Sequence, residues 1–247
     1  MNTRGIVALI VLGTSMSLAA ASAKADVVND GGFEVNTTTG LRLPTEYALW
    51  SGDIVEIVTA QNAIAPFEGA QMVHFMYTTP RGPAGGIIGS ELWQIIDVSA
   101  YRGLIDSGRA VATTEGWFNR LGGEDPNIDT QFSIVLSAYA GSPGDFPGMW
   151  KQSELALVEG FAYTDGDTST WEMATTSMMI PVNADFLVYR ITATENVFDD
   201  ASGIEFHGHY GDAFSLEITE VPAPASLAML LSGALAMTAR QRRSRLA

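Results

Sequence analysis

Cysteine is absent from the 247 residues. That excludes a disulfide scaffold, Cys-ligated zinc and thiol catalysis. Histidine occurs three times, so transition-metal chemistry has few available ligands. Basic residues are scarce: 13 Lys and Arg stand against 28 Asp and Glu, for a net charge of −15. The imbalance is sharper in the middle. Residues 26–220 hold 7 of the basic residues and all 28 acids, a net charge of −21. A nucleic-acid partner is excluded on that ground, because phosphate binding needs basic density. Disorder is excluded by the 47% hydrophobic content and the five tryptophans. Long amphipathic helical patterns are also missing between 26 and 220.

The two ends, by contrast, carry no acid at all. Arg4 precedes an uncharged run from Ile6 to Ala21, and Ala23-Lys24-Ala25 has the small-x-small form of a cleavage site. This is the layout of a secretory signal peptide over 1–25. At the other end, Val221-Pro222-Ala223-Pro224 leads into an apolar stretch ending at Ala239, 19 uncharged residues in all. Arg240, Arg242, Arg243 and Arg245 follow. The 15 residues after Pro224 would form a helix of about 22 Å. That is short of a hydrocarbon core of ~30 Å. The arginines would hold the cytoplasmic side. The expectation is an exported domain tethered to the inner membrane by a C-terminal helix.

The order Pro222, Pro224, apolar helix, Arg240, Arg242, Arg243 resembles the PEP-CTERM sorting signal. The resemblance covers 221–247, with Ala223 where the family has Glu. It implies processing by an exosortase, a membrane transpeptidase-like protease, and delivery to the cell surface or extracellular matrix.

Between the two ends, period-two alternation marks strands. Met72 to Tyr77, Gln131 to Ser137 and Phe214 to Thr219 alternate cleanly. Further strands are expected at 53–60, 90–98, 109–118, 171–180 and 185–194. Turns are expected at Pro80-Arg81-Gly82-Pro83, Gly122-Gly123, Ser142-Pro143-Gly144-Asp145 and Asp165-Gly166-Asp167. The least regular part is 141–170, where Ser153 to Glu159 reads as a candidate helix. About nine short strands in one acidic domain, 26–220, predict an all-β jelly-roll β-sandwich.

The domain opens with Asn29-Asp30-Gly31-Gly32-Phe33-Glu34 and closes with Tyr210-Gly211-Asp212-Ala213-Phe214-Ser215-Leu216. Trp50, Gly69-Ala70-Gln71 and Trp93-Gln94-Ile95 stand between, in that order. This series resembles the galactose-binding-like jelly rolls, the fold of many carbohydrate-binding modules. The resemblance implies a structural calcium (Ca2+) tying the first strand to the last, with Glu34 and Asp212 at the matching positions and Asp30 close by. Calcium takes six to eight oxygen ligands. The alternative for these acids is solvated turn charge.

Other constellations are weaker. Asp165-Gly166-Asp167-Thr168 lacks the spacing of an EF-hand loop and reads as a tight turn. Glu205, His207 and His209 would share one strand face, but the glycines around them suggest loop or edge backbone and ordinary surface histidines. No Ser lies in Gly-x-Ser-x-Gly, so a nucleophile elbow is missing. Acid pairs such as Glu124-Asp125 and Asp199-Asp200 read as solvated loop charge. Trp93 and Trp117 sit in strand-like runs and are expected to be buried. Trp150, in the irregular segment, is the best candidate for an exposed aromatic that stacks on sugar.

Three functional readings follow. One is an exported, non-catalytic surface or matrix protein with affinity for extracellular polysaccharide. The second is a purely structural exported protein without a ligand. The third is a secreted glycan-active hydrolase.

Overall fold

The structure, a computed structural model, describes residues 26–35, 38–40, 43–76, 89–121, 131–194 and 208–221. The signal-peptide region, the tail from Pro222 onward, the turns at 80–83 and 122–123, and the acids Glu124, Asp125, Asp199, Asp200 and Glu205 lie outside these residues, as does His207. Among the described residues, no helix is long and apolar enough to cross a membrane.

The described residues form ten strands: β1 (Ser51–Gly52), β2 (Val55–Val58), β3 (Met72–Phe75), β4 (Gly89–Asp97), β5 (Ala110–Arg120), β6 (Gln131–Tyr139), β7 (Ala156–Tyr163), β8 (Glu172–Met179), β9 (Phe186–Thr194) and β10 (His209–Glu220). They assemble into two five-stranded sheets. The first has the order β1-β4-β9-β6-β7 and the second β2-β3-β10-β5-β8. All named pairings are antiparallel. The chain crosses between the sheets at nearly every connection, and only β2–β3 and β6–β7 remain in one sheet. This is an all-β jelly-roll sandwich. Two short helices, α1 (Arg102–Asp106) and α2 (Phe146–Met149), lie in connections.

The expected strands form, though the central strands β4, β6 and β9 are buried on both faces rather than alternating, and one expectation is corrected. Ser153 to Glu159 is not a helix, and Ala156–Tyr163 is the edge strand β7. Val158, Gly160 and Ala162 turn toward the core, while Leu157, Glu159, Phe161 and Tyr163 face outward. Tertiary packing overrides the local reading here: a Cβ at Gly160 would lie 2.1 Å from the Thr175 carbonyl oxygen of the opposing sheet. Only glycine permits that approach.

The core is aromatic where the domain's ends meet. Phe33, Trp50, Tyr189 and Phe214 are fully buried. Phe33 lies 5.4 Å from Trp50 and 6.0 Å from Phe214, the latter edge-on. Burying rings of this size is the largest single stabilising contribution available to a chain without disulfides. Tyr189 also links the sheets, donating its hydroxyl to the Glu115 carbonyl at 2.9 Å.

The sequence series that suggested the family proves to be a structural clamp on the first residues. Gln94 is buried and holds Asn29 twice: its Oε1 accepts from the Asn29 amide, and its Nε2 donates to the Asn29 carbonyl, both at 2.8 Å. Trp50 Nε1 donates to the carbonyls of Asn29 and Asp30. Asp26 Oδ1 accepts from the Leu216 amide, which stitches the start of the domain onto β10. Beside it, β10 bulges against β5 between Asp212 and Ser215.

Candidate binding face

The outer face of the first sheet carries the aromatic candidates. Trp93 on β4 pairs with Arg190 on β9, and Arg190 pairs with Val135 on β6. Val188 and Ser137 form the neighbouring row. Side chains two apart on a strand share a face, so these residues form one surface. The segment 143–155 crosses over it. Phe146 of α2 is buried and anchors the segment edge-on against Tyr139, with ring centroids 5.3 Å apart. Trp150, at the end of α2, then hangs over the sheet, half-buried, and meets Trp93 edge-on at 6.1 Å and 80°. Lys151 Nζ sits 4.4 Å from the centroid of the Trp150 ring. That is cation–π distance.

These groups enclose a hollow between Trp150 and the sheet, floored by Trp93, Arg190 and Ser137 and walled by Tyr139 and Glu154. The space open to water is about 50 Å³. That suits a few waters and is too small to swallow a sugar ring, so a ring would rest on the mouth of the hollow. Glu154 is oriented by the Lys151 amide at 2.6 Å and the Tyr139 hydroxyl at 3.2 Å. Burial and the adjacent Glu154 charge push the Tyr139 hydroxyl well above its ordinary pKa, so it stays a neutral donor. Arg190 is neutralised by Glu91 at 3.2 Å. Trp93 is fully buried, yet its Nε1–H has no hydrogen-bond partner among the described residues. An unsatisfied buried donor costs about 1–3 kcal/mol and calls for an explanation.

The remaining tryptophans are differently employed. Trp50 is core. Trp117 is only half-buried, contrary to the expectation of full burial, because it faces outward on the second sheet and stacks on Phe67 at 4.2 Å. Trp171 meets the same Phe67 edge-on.

The acids at the domain's ends occupy one corner. Glu34 Oε1 accepts from the Ala70 and Gln71 amides at 2.7 and 2.9 Å. Asp212 is fully buried, accepting from the Ala213 amide at 2.7 Å and the Glu68 amide at 3.1 Å. A Cβ on Gly32 would lie 3.5 Å from Glu68 Oε1, 3.7 Å from Asp212 Oδ1 and 3.9 Å from Glu34 Cγ. The structure therefore brings Glu34 and Asp212 together around Gly32 and adds Glu68, which sequence reasoning missed because it sits in a loop without a motif of its own. Asp30 turns its Oδ1 to the Val35 amide at 3.0 Å. The donors are hard oxygens, the kind calcium selects. Glu34, Asp30 and Asp212 are held by backbone amides, however, and among the described residues no three His, Asp or Glu side chains are arranged to hold a metal ion. Burial raises the Asp212 carboxyl to a pKa of about 7, and the nearby Glu68 charge adds to the shift.

Asp165 and Asp167 close a turn on themselves. Asp165 Oδ1 accepts from the Asp167 amide, and Asp167 Oδ1 from the Ser169 amide and hydroxyl. His209 is buried in β10 rather than at the surface, and His74 stacks on Tyr210 at 4.8 Å.

No family model matches the chain. No curated protein matches it either. Among solved structures, it is similar to the module TmCBM61 in complex with β-1,4-galactotriose, at 15% identity, covering 80% of this chain and 99% of that one with a TM-score of 0.43. It is similar to the CBM22-1 xylan-binding domain of Paenibacillus barcinonensis Xyn10C at 16% identity, covering 82% and 100%, TM-score 0.41. The enzymatically active domain of bacteriophage CBA120 tailspike protein 4 is similar at 11% identity, with a TM-score of 0.43, over 78% of this chain but 21% of that one.

Proposed function

We propose that the chain is an exported, non-catalytic surface or matrix protein that binds polysaccharide on the outer face of its first sheet. The observation that carries this reading is the pairing of Trp150 and Trp93 at one hollow. Trp150 offers a half-exposed ring for the apolar face of a sugar. Trp93 offers a buried N–H that lacks an acceptor, which a sugar oxygen would supply. Hydroxyl, carboxylate and guanidinium groups of Tyr139, Glu154 and Arg190 surround them, the mix of aromatic platform and few polar groups that orients a ligand. Lys151 covers the Trp150 ring from an exposed position on a flexible stem and can be displaced. The domain's charge of −21 favours a neutral polysaccharide over an anionic one.

Export through the 1–25 segment and sorting through Pro222, Pro224, Arg240, Arg242 and Arg243 belong to the same proposal, with an exosortase as processing partner. A calcium ion at the corner of Glu34 and Asp212, with backbone carbonyls completing its shell, would supply positive charge beside the buried Asp212 carboxylate. Its role would be structural, joining β10 to the first residues of the domain. The experiment that tests the binding reading is titration of the protein and its Trp150→Ala variant with soluble polysaccharides.

A further inference from the structure

Thr39, Ser51 and Trp93 occupy consecutive positions in one line across the first sheet. Ser51 on β1 is the direct partner of Trp93 on β4. Thr38 forms a parallel bridge with Trp50, and the Thr39 amide donates to the Trp50 carbonyl at 2.8 Å, which sets Thr39 beside Ser51. Trp50 points into the core, so Ser51 points to the opposite, outer face. All three side chains carry a buried polar atom without a partner among the described residues: Thr39 Oγ1, Ser51 Oγ and Trp93 Nε1. Ser51 and Trp93 are each only 1% exposed. One orphaned atom is a local defect. Three in adjacent positions on one face point to a shared missing partner.

A second hollow lies at this point, beyond the edge of β1. It is lined by Thr39, Ser51, Thr45, Glu46, Pro44 and Leu49, and offers about 150 Å³, roughly three times the space beneath Trp150. Its polar atoms are hydroxyls and one carboxylate. Among the described residues it contains no cation. Hydroxyls both donate and accept, and a carboxylate accepts. That set recognises a neutral polyol and repels an anion. Ser51 and Trp93, as cross-strand partners, have Cβ atoms about 4.5–5.5 Å apart, so the second hollow continues the surface of the first.

We infer that the edge hollow at Thr39 and Ser51 is a second subsite for the same neutral, linear polysaccharide, and that the chain crosses the strands from Trp150 over Trp93 to Ser51. The inference rests on the carbohydrate reading of the Trp93–Trp150 hollow. It adds a length requirement: the Trp150 ring lies 6.1 Å from Trp93, and Ser51 sits one strand spacing beyond Trp93, about 5 Å further. A single ring on Trp150 cannot reach Ser51, whereas an oligosaccharide can.

The test is calorimetric titration of the full chain with neutral oligosaccharides of increasing length, from monosaccharide to tetrasaccharide, in the xylose, glucose, mannose and β-1,4-galactose series. Affinity should rise with length in at least one series. Ser51→Ala and Thr39→Val should each weaken the tetrasaccharide on the order of threefold to tenfold, the range of one hydrogen bond. They should leave the shortest ligand that binds unchanged. Neither variant should lower Tm, since each removes an unsatisfied hydroxyl. A structural role for the hydroxyls would lower Tm and spare affinity, and that result overturns the subsite. Binding that is independent of length overturns it as well, while leaving the Trp150 reading intact. Absence of binding to every probe overturns both.

Discussion

Ser51 and Trp93 face each other across the antiparallel pair β1–β4, and each buries a polar atom that no described residue satisfies. Elsewhere on the same sheet, Ser133 and Thr192 share a hydrogen bond at 2.7 Å and Gln94 is satisfied twice by Asn29, while the buried Ser90 Oγ on β4, on the core side with Leu92, also lacks a partner among the described residues. Ser51 and Trp93 differ from Ser90 in lying on the outer face, each lining one of the two hollows.

Trp93→Phe follows from that contrast. The substitution keeps an aromatic ring against Trp150 and removes the orphaned N–H. Thermal stability should change by less than about 1.5 kcal/mol, within the range of volume-conserving core changes. Affinity for polysaccharide should fall several-fold. Circular-dichroism melting and calorimetry read the two effects separately, and a large loss of stability with affinity retained would assign the ring a purely structural role.

The strands were legible because period-two alternation has a physical cause: a half-buried strand exposes every second residue. β8 shows it, whereas β6 and β9 fall within a residue or two of the expected bounds but are buried on both faces, as central strands of the sheet under the 143–155 segment. β7 was misread because Ser153 to Glu159 is short and its partners lie far away in sequence, at Gln131–Ala138. The irregular segment around Trp150 pointed to an exposed aromatic, whereas the ring is half-buried, as are Trp117 and Trp171. Its contact with Trp93 was not legible, since it depends on Phe146 pinning α2 to Tyr139. Ser51 and Thr39 carried no signal at all. An unsatisfied hydroxyl becomes visible only when burial and partners are known.

Asp212 gives the fold a pH dependence. Its carboxyl titrates near pH 7 in the folded protein, against 3.8 as the ordinary value. Between these values the folded state holds a proton that the unfolded state has released. Stability in the presence of EGTA should therefore fall as pH rises through this window, by at most about 1.4 kcal/mol per unit. His74, whose pKa is lowered by burial, and Asp26, whose pKa is raised, also contribute. The difference between the unmutated protein and Asp212→Ala isolates the Asp212 share. If calcium takes the corner, a free level of 100 times its Kd should add about 2.7 kcal/mol. That is roughly 5–10 °C in Tm for a domain of this size. Asp212→Ala should abolish the shift and Asp167→Ala should not. An unmutated protein whose Tm ignores calcium carries no ion at this corner.

Removing residues 225–247 should release a folded protein. β10 ends at Glu220, and the Val221 amide is still held by the Arg109 carbonyl at 2.8 Å, so the truncation leaves the last strand paired. Cell fractionation should find the truncated chain in the periplasm or medium with an unchanged melting curve. Export without folding would move the domain boundary beyond 221.

Trp150 offers the most direct test of the binding face. The measurement is calorimetric titration of the full chain against neutral soluble polysaccharides (xylan, galactan, glucomannan and β-glucan), repeated with Trp150→Ala. Trp150 is half-buried in a loop over the sheet, so its loss should leave the sandwich folded. The account predicts saturable binding to at least one polysaccharide and a loss of tenfold or more in the variant, the size of one sugar–aromatic contact of about 1.4 kcal/mol. Binding that survives in Trp150→Ala at full strength, or no binding to any of the four, contradicts it.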